Sequence, residues 1–103
     1  MDKAMLLQIG FAERTYEGQE GVFLTKEATV WDFRYAREHI VDNDSIRDED
    51  RAVMEITPAG NIQFQIPSAD YIEGPYPLES EEGKGLLNDC QPENAPPRRI
   101  GRI

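Results

Sequence analysis

The side chains best suited to catalysis or metal binding are scarce in this sequence. The chain of 103 residues contains one histidine, His39, and one cysteine, Cys90. A structural zinc site takes about four nitrogen or sulfur ligands, so these two residues do not supply one. Cys90 has Asn88, Asp89 and Glu93 as neighbours, and nearby carboxylates disfavour the thiolate that a cysteine nucleophile needs. The sequence therefore predicts neither a zinc centre nor a nucleophilic cysteine.

Two other patterns match catalytic motifs only in part. The Gly-Lys-Gly of residues 83–85 lacks the spaced first glycine and the following hydroxyl residue of a phosphate-binding loop. Ser45, Ser68 and Ser80 do not lie in the glycine-flanked turn that exposes a serine nucleophile. We therefore expect a protein that is not an enzyme and that carries no cofactor.

The stretch from Asp42 to Arg51 holds five acids and two arginines. An EF-hand loop starting at Asp42 would need glycine at the sixth position and a bidentate glutamate at the twelfth. Arg47 and Val53 occupy those positions, so an EF-hand is excluded. Three interpretations remain: an irregular cation site, a solvated linker, which is the most frequent role of such a run, or carboxylates presented to a basic partner.

The charge of the chain is its strongest global property. Twenty acids and eleven bases give a net charge of −9, and the only basic stretch is PPRRIGRI at residues 96–103. An acidic body repels phosphates, so direct nucleic-acid binding is disfavoured. The charge suits either simple solubility or a partner protein with a basic surface.

The expected location follows from what the sequence lacks. No apolar run approaches membrane-spanning length, the N-terminus has no long apolar signal region, and a single cysteine excludes an internal disulfide. We therefore expect a protein without membrane contact in a reducing compartment, either the cytoplasm or, for a phage-encoded protein, the host cytoplasm or the virion.

The clearest structural pattern is a β-hairpin over Ala52–Pro67. Apolar residues alternate in both halves, which is the periodicity of half-buried strands. The connection Thr57–Asn61 has proline second and glycine fourth, as in a type I turn closed by a glycine with positive φ. An earlier hairpin is predicted from a strand over Met5–Glu13 and a short strand over Val22–Leu24. In that first strand, Gly10 suggests a bulge or a close approach to the backbone.

The segment Thr25–Val41 fits two structures. Its apolar residues recur at helical spacing, but Trp31, Phe33 and Tyr35 also alternate with polar residues as in a strand. Seventeen residues without glycine or proline are long for a strand, so we predict a helix. In that helix Trp31 and Tyr35 either widen the core contact, which is the more frequent role, or form an exposed aromatic anchor for a partner.

The sequence changes character after the hairpin. Tyr71–Leu78 is apolar enough to lie across the fold as an extended strap, and the remainder is rich in proline and acids. We therefore divide the chain into a small domain, residues 1–66, and a strap and tail, residues 67–103, with the composition of a linker or of a segment that folds on binding.

The predicted fold is α+β in the order ββαββ, a four-stranded, mainly antiparallel sheet with one helix on one face and an extended C-terminal tail. The residues predicted to form most of the core are Leu7, Ile9, Phe11, Val22, Leu24, Phe33, Ile40, Met54, Ile56, Ile62, Phe64 and Ile66.

The predicted function is a non-enzymatic interaction module that sets an acidic surface against a basic, nucleic-acid-binding partner, as an inhibitor that mimics nucleic acid would. In composition the chain resembles phage- and plasmid-borne accessory proteins. The alternative is a structural subunit of an assembly such as a virion, whose tail threads across neighbours. The candidate partner-binding residues are Trp31, Tyr35, Asp42, Asp44, Asp48, Glu49, Asp50, Glu79, Glu81, Glu82, Arg98, Arg99 and Arg102.

Overall fold

The fold is α+β, with a five-stranded antiparallel sheet, in a computed structural model that describes residues 3–90. The strands are neighbours in chain order, so each pairs with the next. They are β1 (Ala12–Arg14), β2 (Phe23–Thr29), β3 (Arg51–Ile56), β4 (Asn61–Ile66) and β5 (Tyr71–Pro77). The helices are α1 (Lys3–Gln8), α2 (Arg34–His39) and α3 (Glu81–Asn88), with 3-10 turns at Val30–Asp32 and Pro67–Ala69.

The hairpin of β3 and β4 is confirmed. Met54 pairs with Phe64 and Ile56 with Ile62, and these four side chains are buried on one face of the sheet. In the turn, the amide of Gly60 donates to the carbonyl of Thr57 at 2.9 Å, and Gly60 has a φ of 90°. The glycine thus takes the left-handed conformation that the sequence predicts for it.

The predicted first strand over Met5–Glu13 is wrong, because its first half is the helix α1. The amide of Phe11 donates to Leu6 and that of Gly10 to Leu7, and Gly10 has a φ of 107°. These are the two hydrogen bonds of a Schellman C-cap, which buries the residue after the glycine against the last helical turn. Leu6 and Phe11 are indeed both buried. Only the end of the segment, β1, pairs with β2 as expected.

The predicted helix over Thr25–Val41 is wrong in its first part and is confirmed only over Arg34–His39. Residues up to Thr29 form β2, and the helix α2 has only six residues. The alternation of β2 was hidden because Lys26 occupies a position on the core face, between Leu24 and Ala28. Its Nζ donates to the carbonyls of Ile9 at 2.8 Å and Cys90 at 2.9 Å. Two hydrogen bonds to backbone carbonyls let a charged side chain lie where the pattern expects an apolar one.

The segment predicted as a strap is the fifth strand of the sheet, β5, which corrects the predicted count of four. Its register slips against β4, since Ile62 pairs with Tyr76 whereas Phe64 pairs with Glu73. Between these two pairs, one residue of β4, Gln63, thus opposes two residues of β5, Gly74 and Pro75, which is a β-bulge in β5. The bulge turns both Glu73 and Tyr76 toward the helical face, although their odd spacing would otherwise put them on opposite faces.

The C-terminal region is not wholly extended, because residues 81–88 form the helix α3. Ser80 is its N-cap, and the Ser80 hydroxyl accepts from the amide of Gly83 at 3.0 Å and donates to the carbonyl of Pro77 at 2.7 Å. Leu86, Leu87 and the following Cys90 are buried. This segment therefore packs on the same core as the hairpin.

The core lies between one face of the sheet and the three helices. Most of the predicted core residues are buried there, but Leu7 and Val22 are exposed by 41% and 42%. Leu7 lies on the outer side of α1, and Val22 precedes β2 in the loop. The additional core residues include Trp31 and Ile46, which anchors the loop between α2 and β3.

Candidate functional site

The candidate site is a cleft of about 350 Å³ where α2, β5 and α3 meet. Its charged side chains are four carboxylates and one guanidinium, together with one imidazole. The residues that line it are Arg34, Tyr35, Glu38, His39, Glu73, Tyr76, Glu82, Gly85, Leu86, Asn88 and Asp89.

At the wall from β5, the carboxylate of Glu73 lies among three tyrosine hydroxyls, two from β5 and one, that of Tyr35, from α2. Tyr76 donates its hydroxyl hydrogen bond to Glu73, and the hydroxyls of Tyr35 and Tyr71 lie 3.0 Å apart. The pKa of Tyr35 is raised well above its usual range, first by burial and then by the Tyr71 hydroxyl and Glu73. The hydrogen bond to Glu73 raises the pKa of Tyr76 as well. Both tyrosines thus stay protonated at neutral pH and present fixed rings to the cleft.

The wall from α2 is held by contacts one helical turn apart. The Nε of Arg34 donates to Glu38 at 2.7 Å, and this hydrogen bond lowers the pKa of Glu38. The rings of Tyr35 and His39 lie 4.7 Å apart. Residues four apart lie on the same face of a helix, so α2 places the ion pair and the contact between the two tilted rings along the same side of the cleft.

The wall from α3 depends on a close approach of backbone to backbone. A Cβ on Gly83 would lie 2.0 Å from the carbonyl oxygen of Pro77, so only glycine fits at this position. Beside Gly83 in the same helix, Glu82 lines the cleft, and Asp89 lines it at the helix end. The contact between α3 and the end of β5 therefore sets the position of two of the four carboxylates.

Asp89 is the most perturbed carboxyl group of the cleft. Burial, and then the negative charge of Glu38, raise its pKa to about 6, while Arg34, His39 and Arg37 act in the opposite direction. A carboxylate that is half-buried beside another carboxylate is destabilised, and an approaching cation relieves both effects. Such perturbed groups in clefts are candidates for functional sites.

The loop between α2 and β3 holds five of the predicted partner-binding residues. Asp48 accepts a hydrogen bond from Nε1 of Trp31 at 2.9 Å, and Asp50 accepts one from the amide of Arg47 at 2.9 Å. These two carboxylates order the loop. Asp42, Asp44 and Glu49 are exposed on it, and the loop does not line the cleft.

The other predicted residues do not lie together in the structure. Trp31 is buried in the core, as the more frequent of its two roles implies, while Tyr35 and Glu82 line the cleft. Glu79 lines a second groove, which Met5 of α1 also lines, and Glu81 is exposed in the first turn of α3. The remaining three, Arg98, Arg99 and Arg102, lie outside the described residues.

Sequence reasoning did not find Glu38, Glu73, Tyr76 and Asp89 as members of one site. The sequence does contain a signal for Glu73 and Tyr76. Gly74-Pro75 lies between them, and such a break in a strand often marks a bulge that changes the direction of the side chains. No local signal connects Asp89 with Glu38. Their proximity arises only when α3 packs beside α2.

No known protein family, curated protein or solved structure matches this chain. Within residues 3–90, no group of three or more histidine, cysteine, aspartate or glutamate side chains is arranged to hold a metal ion. None of the helices in this described part is long and apolar enough to cross a membrane. The geometry of the cleft is therefore the main guide to function.

Proposed function

We propose that this protein is a non-enzymatic interaction module that binds a basic segment of a partner protein. An arginine or lysine side chain of that segment would enter the cleft between α2, β5 and α3. The observation that carries the proposal is the composition of the cleft, in which Glu38, Glu73, Glu82 and Asp89 face a single guanidinium, Arg34, beside two tyrosine rings.

The charge of the cleft favours a cation over a neutral or anionic ligand. The ion pair between Arg34 and Glu38 satisfies one carboxylate, and the three others leave an excess of negative charge. A charge-assisted hydrogen bond from a guanidinium or ammonium group to a carboxylate is about twice as strong as a neutral one. The burial that raises the pKa of Asp89 also reduces the screening of that bond by water.

The size and lining of the cleft favour one long side chain. A volume of about 350 Å³ is at the small end of the range of ligand pockets, roughly 300–1,000 Å³. Tyr35 and Tyr76 can place ring faces or edges against an alkyl stem or a guanidinium plane. Their hydroxyls are already hydrogen-bonded, so the rings need little ordering when a ligand binds.

The partner is then a protein with an exposed basic arm or patch. Basic segments of this kind are frequent in proteins that bind nucleic acid. An acidic module that occupies such a segment would compete with nucleic acid, and the net charge of −9 would speed its association with the partner.

A binding experiment with a short peptide tests this proposal. The probe is acetyl-GRGRG-amide, and its control is the same peptide with citrulline, which keeps the shape of arginine but not its charge. We expect the arginine peptide alone to shift the amide resonances of Tyr35, Glu73 and Gly85. The affinity should fall at least about threefold between roughly 50 mM and 500 mM NaCl. Equal binding of both peptides, or shifts confined to residues 42–50, would contradict the proposal.

A subunit of a larger assembly is the second candidate. A groove of about 820 Å³, whose lining includes Met5, Leu78 and Leu87, favours it. The exposure of Leu7 also favours it, because exposed apolar surface is typical of interfaces. Light scattering over a hundredfold range of protein concentration tests this candidate. A constant monomer mass would exclude self-assembly.

A further inference from the structure

The chain contains a basic segment of its own, PPRRIGRI at residues 96–103, and the last described residue before it, Cys90, lies beside the cleft. Asn88 and Asp89 line the cleft, and Cys90 follows them directly. The carbonyl of Cys90 is held by Nζ of Lys26 at 2.9 Å. The last described residue is thus held next to Asp89.

We propose that the segment Arg98–Arg102 of the same chain occupies the cleft until a basic partner displaces it. This inference rests on the function proposed above, because it assigns an internal competitor to the same site. The segment would act as a pseudo-ligand, with one arginine side chain in the position that the partner's side chain takes.

Charge complementarity is the first argument. Arg98, Arg99 and Arg102 are the only charged residues among the last eight, whereas the rest of the chain carries the whole excess of acids. The carboxylates of the cleft form a compact negative site, and an arginine can bind a carboxylate through two parallel hydrogen bonds. The carboxylates that would attract the basic arm of a partner would also attract the chain's own segment Arg98–Arg102.

The length of chain between Cys90 and Arg98 also supports the proposal. Eight residue steps separate Cys90 from Arg98, and fully extended they span roughly 27 Å. The described part of the protein has principal extents of 43 × 30 × 22 Å, and the cleft begins at the residue before Cys90. The segment is therefore long enough to enter the cleft and short enough to stay near it, at an effective concentration on the order of millimolar.

Occupancy by the chain's own segment has a measurable consequence for the partner. If the segment fills the cleft in most molecules, the apparent affinity for a competing ligand is reduced by the fraction of molecules that are open. An open fraction of about one in five gives a reduction of about fivefold. Salt weakens the contact of the cleft with the chain's own segment and with the competing ligand. The reduction of apparent affinity that the segment causes should therefore be smaller at high ionic strength.

Paramagnetic relaxation in the full chain tests the proposal directly. In Ile100→Cys, a nitroxide label reacts with the new thiol, because Cys90 is 2% exposed and burial raises the pKa of its thiol to about 12. We expect broadening of the amide signals of Glu73, Gly85 and Asp89 and not of Gly60, at all protein concentrations. In the labelled chain that also carries Arg98→Gln, Arg99→Gln and Arg102→Gln, the broadening should disappear.

Two outcomes would overturn the proposal. One is the absence of broadening at the cleft. The other is equal broadening of the isotope-labelled chains without nitroxide when they are mixed with nitroxide-labelled chains, because the segment then binds a neighbouring copy. The arginine and citrulline peptides distinguish this failure from that of the proposed function, since a cleft that still selects the arginine peptide leaves the proposed function intact.

A competition measurement gives the second readout. The full chain with Arg98→Gln, Arg99→Gln and Arg102→Gln should bind acetyl-GRGRG-amide about threefold to tenfold more tightly than the unchanged chain. The matched control, Arg14→Gln, Arg47→Gln and Arg51→Gln, makes the same change in net charge on the folded surface. An equal gain of affinity in both variants would show a general charge effect and would contradict the proposal.

Discussion

Two buried or half-buried carboxylates, Glu55 on the outer face of the sheet and Asp89 in the cleft, have opposite surroundings. Glu55 is 8% exposed, and its two oxygens accept hydrogen bonds from Tyr16 at 2.8 Å and Gln63 at 3.0 Å. Asp89 lies beside another carboxylate, Glu38, and its pKa is raised to about 6. Burial alone therefore does not mark a binding site. A carboxylate whose hydrogen bonds are completed within the fold stabilises the fold, whereas a destabilised one gains from a ligand.

The largest losses of stability and of peptide binding are expected from a substitution that displaces α3, one wall of the cleft. Gly83→Ala would bring a Cβ against the carbonyl of Pro77 and should lower the free energy of unfolding by about 3 kcal/mol or abolish the packing of α3. Urea denaturation followed by circular dichroism measures this. Binding of the arginine peptide should be lost with it.

Gly85→Ala is the matched control for that substitution, because no atom lies within 4 Å of the position of its Cβ. It should raise the stability by up to about 1 kcal/mol, since alanine has the higher helix propensity. Similar destabilisation by both substitutions would contradict the account of how α3 packs.

The second largest effect distinguishes a carboxylate that stabilises the fold, Glu55, from one that contributes to binding, Asp89. Glu55→Ala removes the acceptor for Tyr16 and Gln63 and should lower the free energy of unfolding by about 1–2 kcal/mol. The affinity for the arginine peptide should stay within about twofold of the original, because Glu55 is not part of the cleft. Glu49→Ala, at an exposed loop position, should change neither quantity. A loss of peptide binding in Glu55→Ala would overturn the comparison.

The effect expected from replacing Asp89 is smaller, and it raises the free energy of unfolding instead of lowering it. Because the pKa of Asp89 is raised in the folded state, the folded protein favours the protonated form, and stability is lost as the pH rises from about 4 to about 6. Asp89→Asn should thus stabilise the protein by about 1 kcal/mol at pH 7, after allowance for partial exposure. The difference should vanish near pH 3. Denaturation curves at pH 3, 5 and 7 measure it, and a destabilised variant at pH 7 would contradict the assignment.

The same ionisation should appear in binding. Protonation of Asp89 removes one negative charge from the cleft, so the affinity for the arginine peptide should fall as the pH is lowered through about 6. In Asp89→Asn this step should be absent. Titrations of both proteins between pH 5 and pH 8 show whether the step belongs to Asp89.

The sequence predicted the parts of the fold where local pattern and packing agree. The β3–β4 hairpin followed from alternation and from Gly60, and the pairing of β1 with β2 followed from the turn between them. Prediction failed where a contact with a residue far away in the sequence allows a residue that breaks the local pattern. Lys26 on the core face is stabilised by carbonyls of two other segments, so β2 was read as a helix.

The other failures have the same origin. Residues 5–11 alternate like a strand, but the burial of both Leu6 and Phe11 favours a helix with a glycine C-cap. The helix α3 contains two glycines, which lower its propensity, and it forms because Gly83 and Ser80 dock it on Pro77. For the site, the acidic character was predictable from composition, but the identity of the carboxylates depends on tertiary packing.

The most direct test of the central claim compares two double substitutions that change the net charge by the same amount at different sites. Glu82→Gln with Asp89→Asn changes the cleft, and Asp44→Asn with Glu49→Gln makes the same change of net charge on the exposed loop between α2 and β3. The account predicts that the cleft variant binds acetyl-GRGRG-amide about tenfold more weakly and that the loop variant stays within about twofold. Equal losses in both variants, or a larger loss in the loop variant, would contradict it.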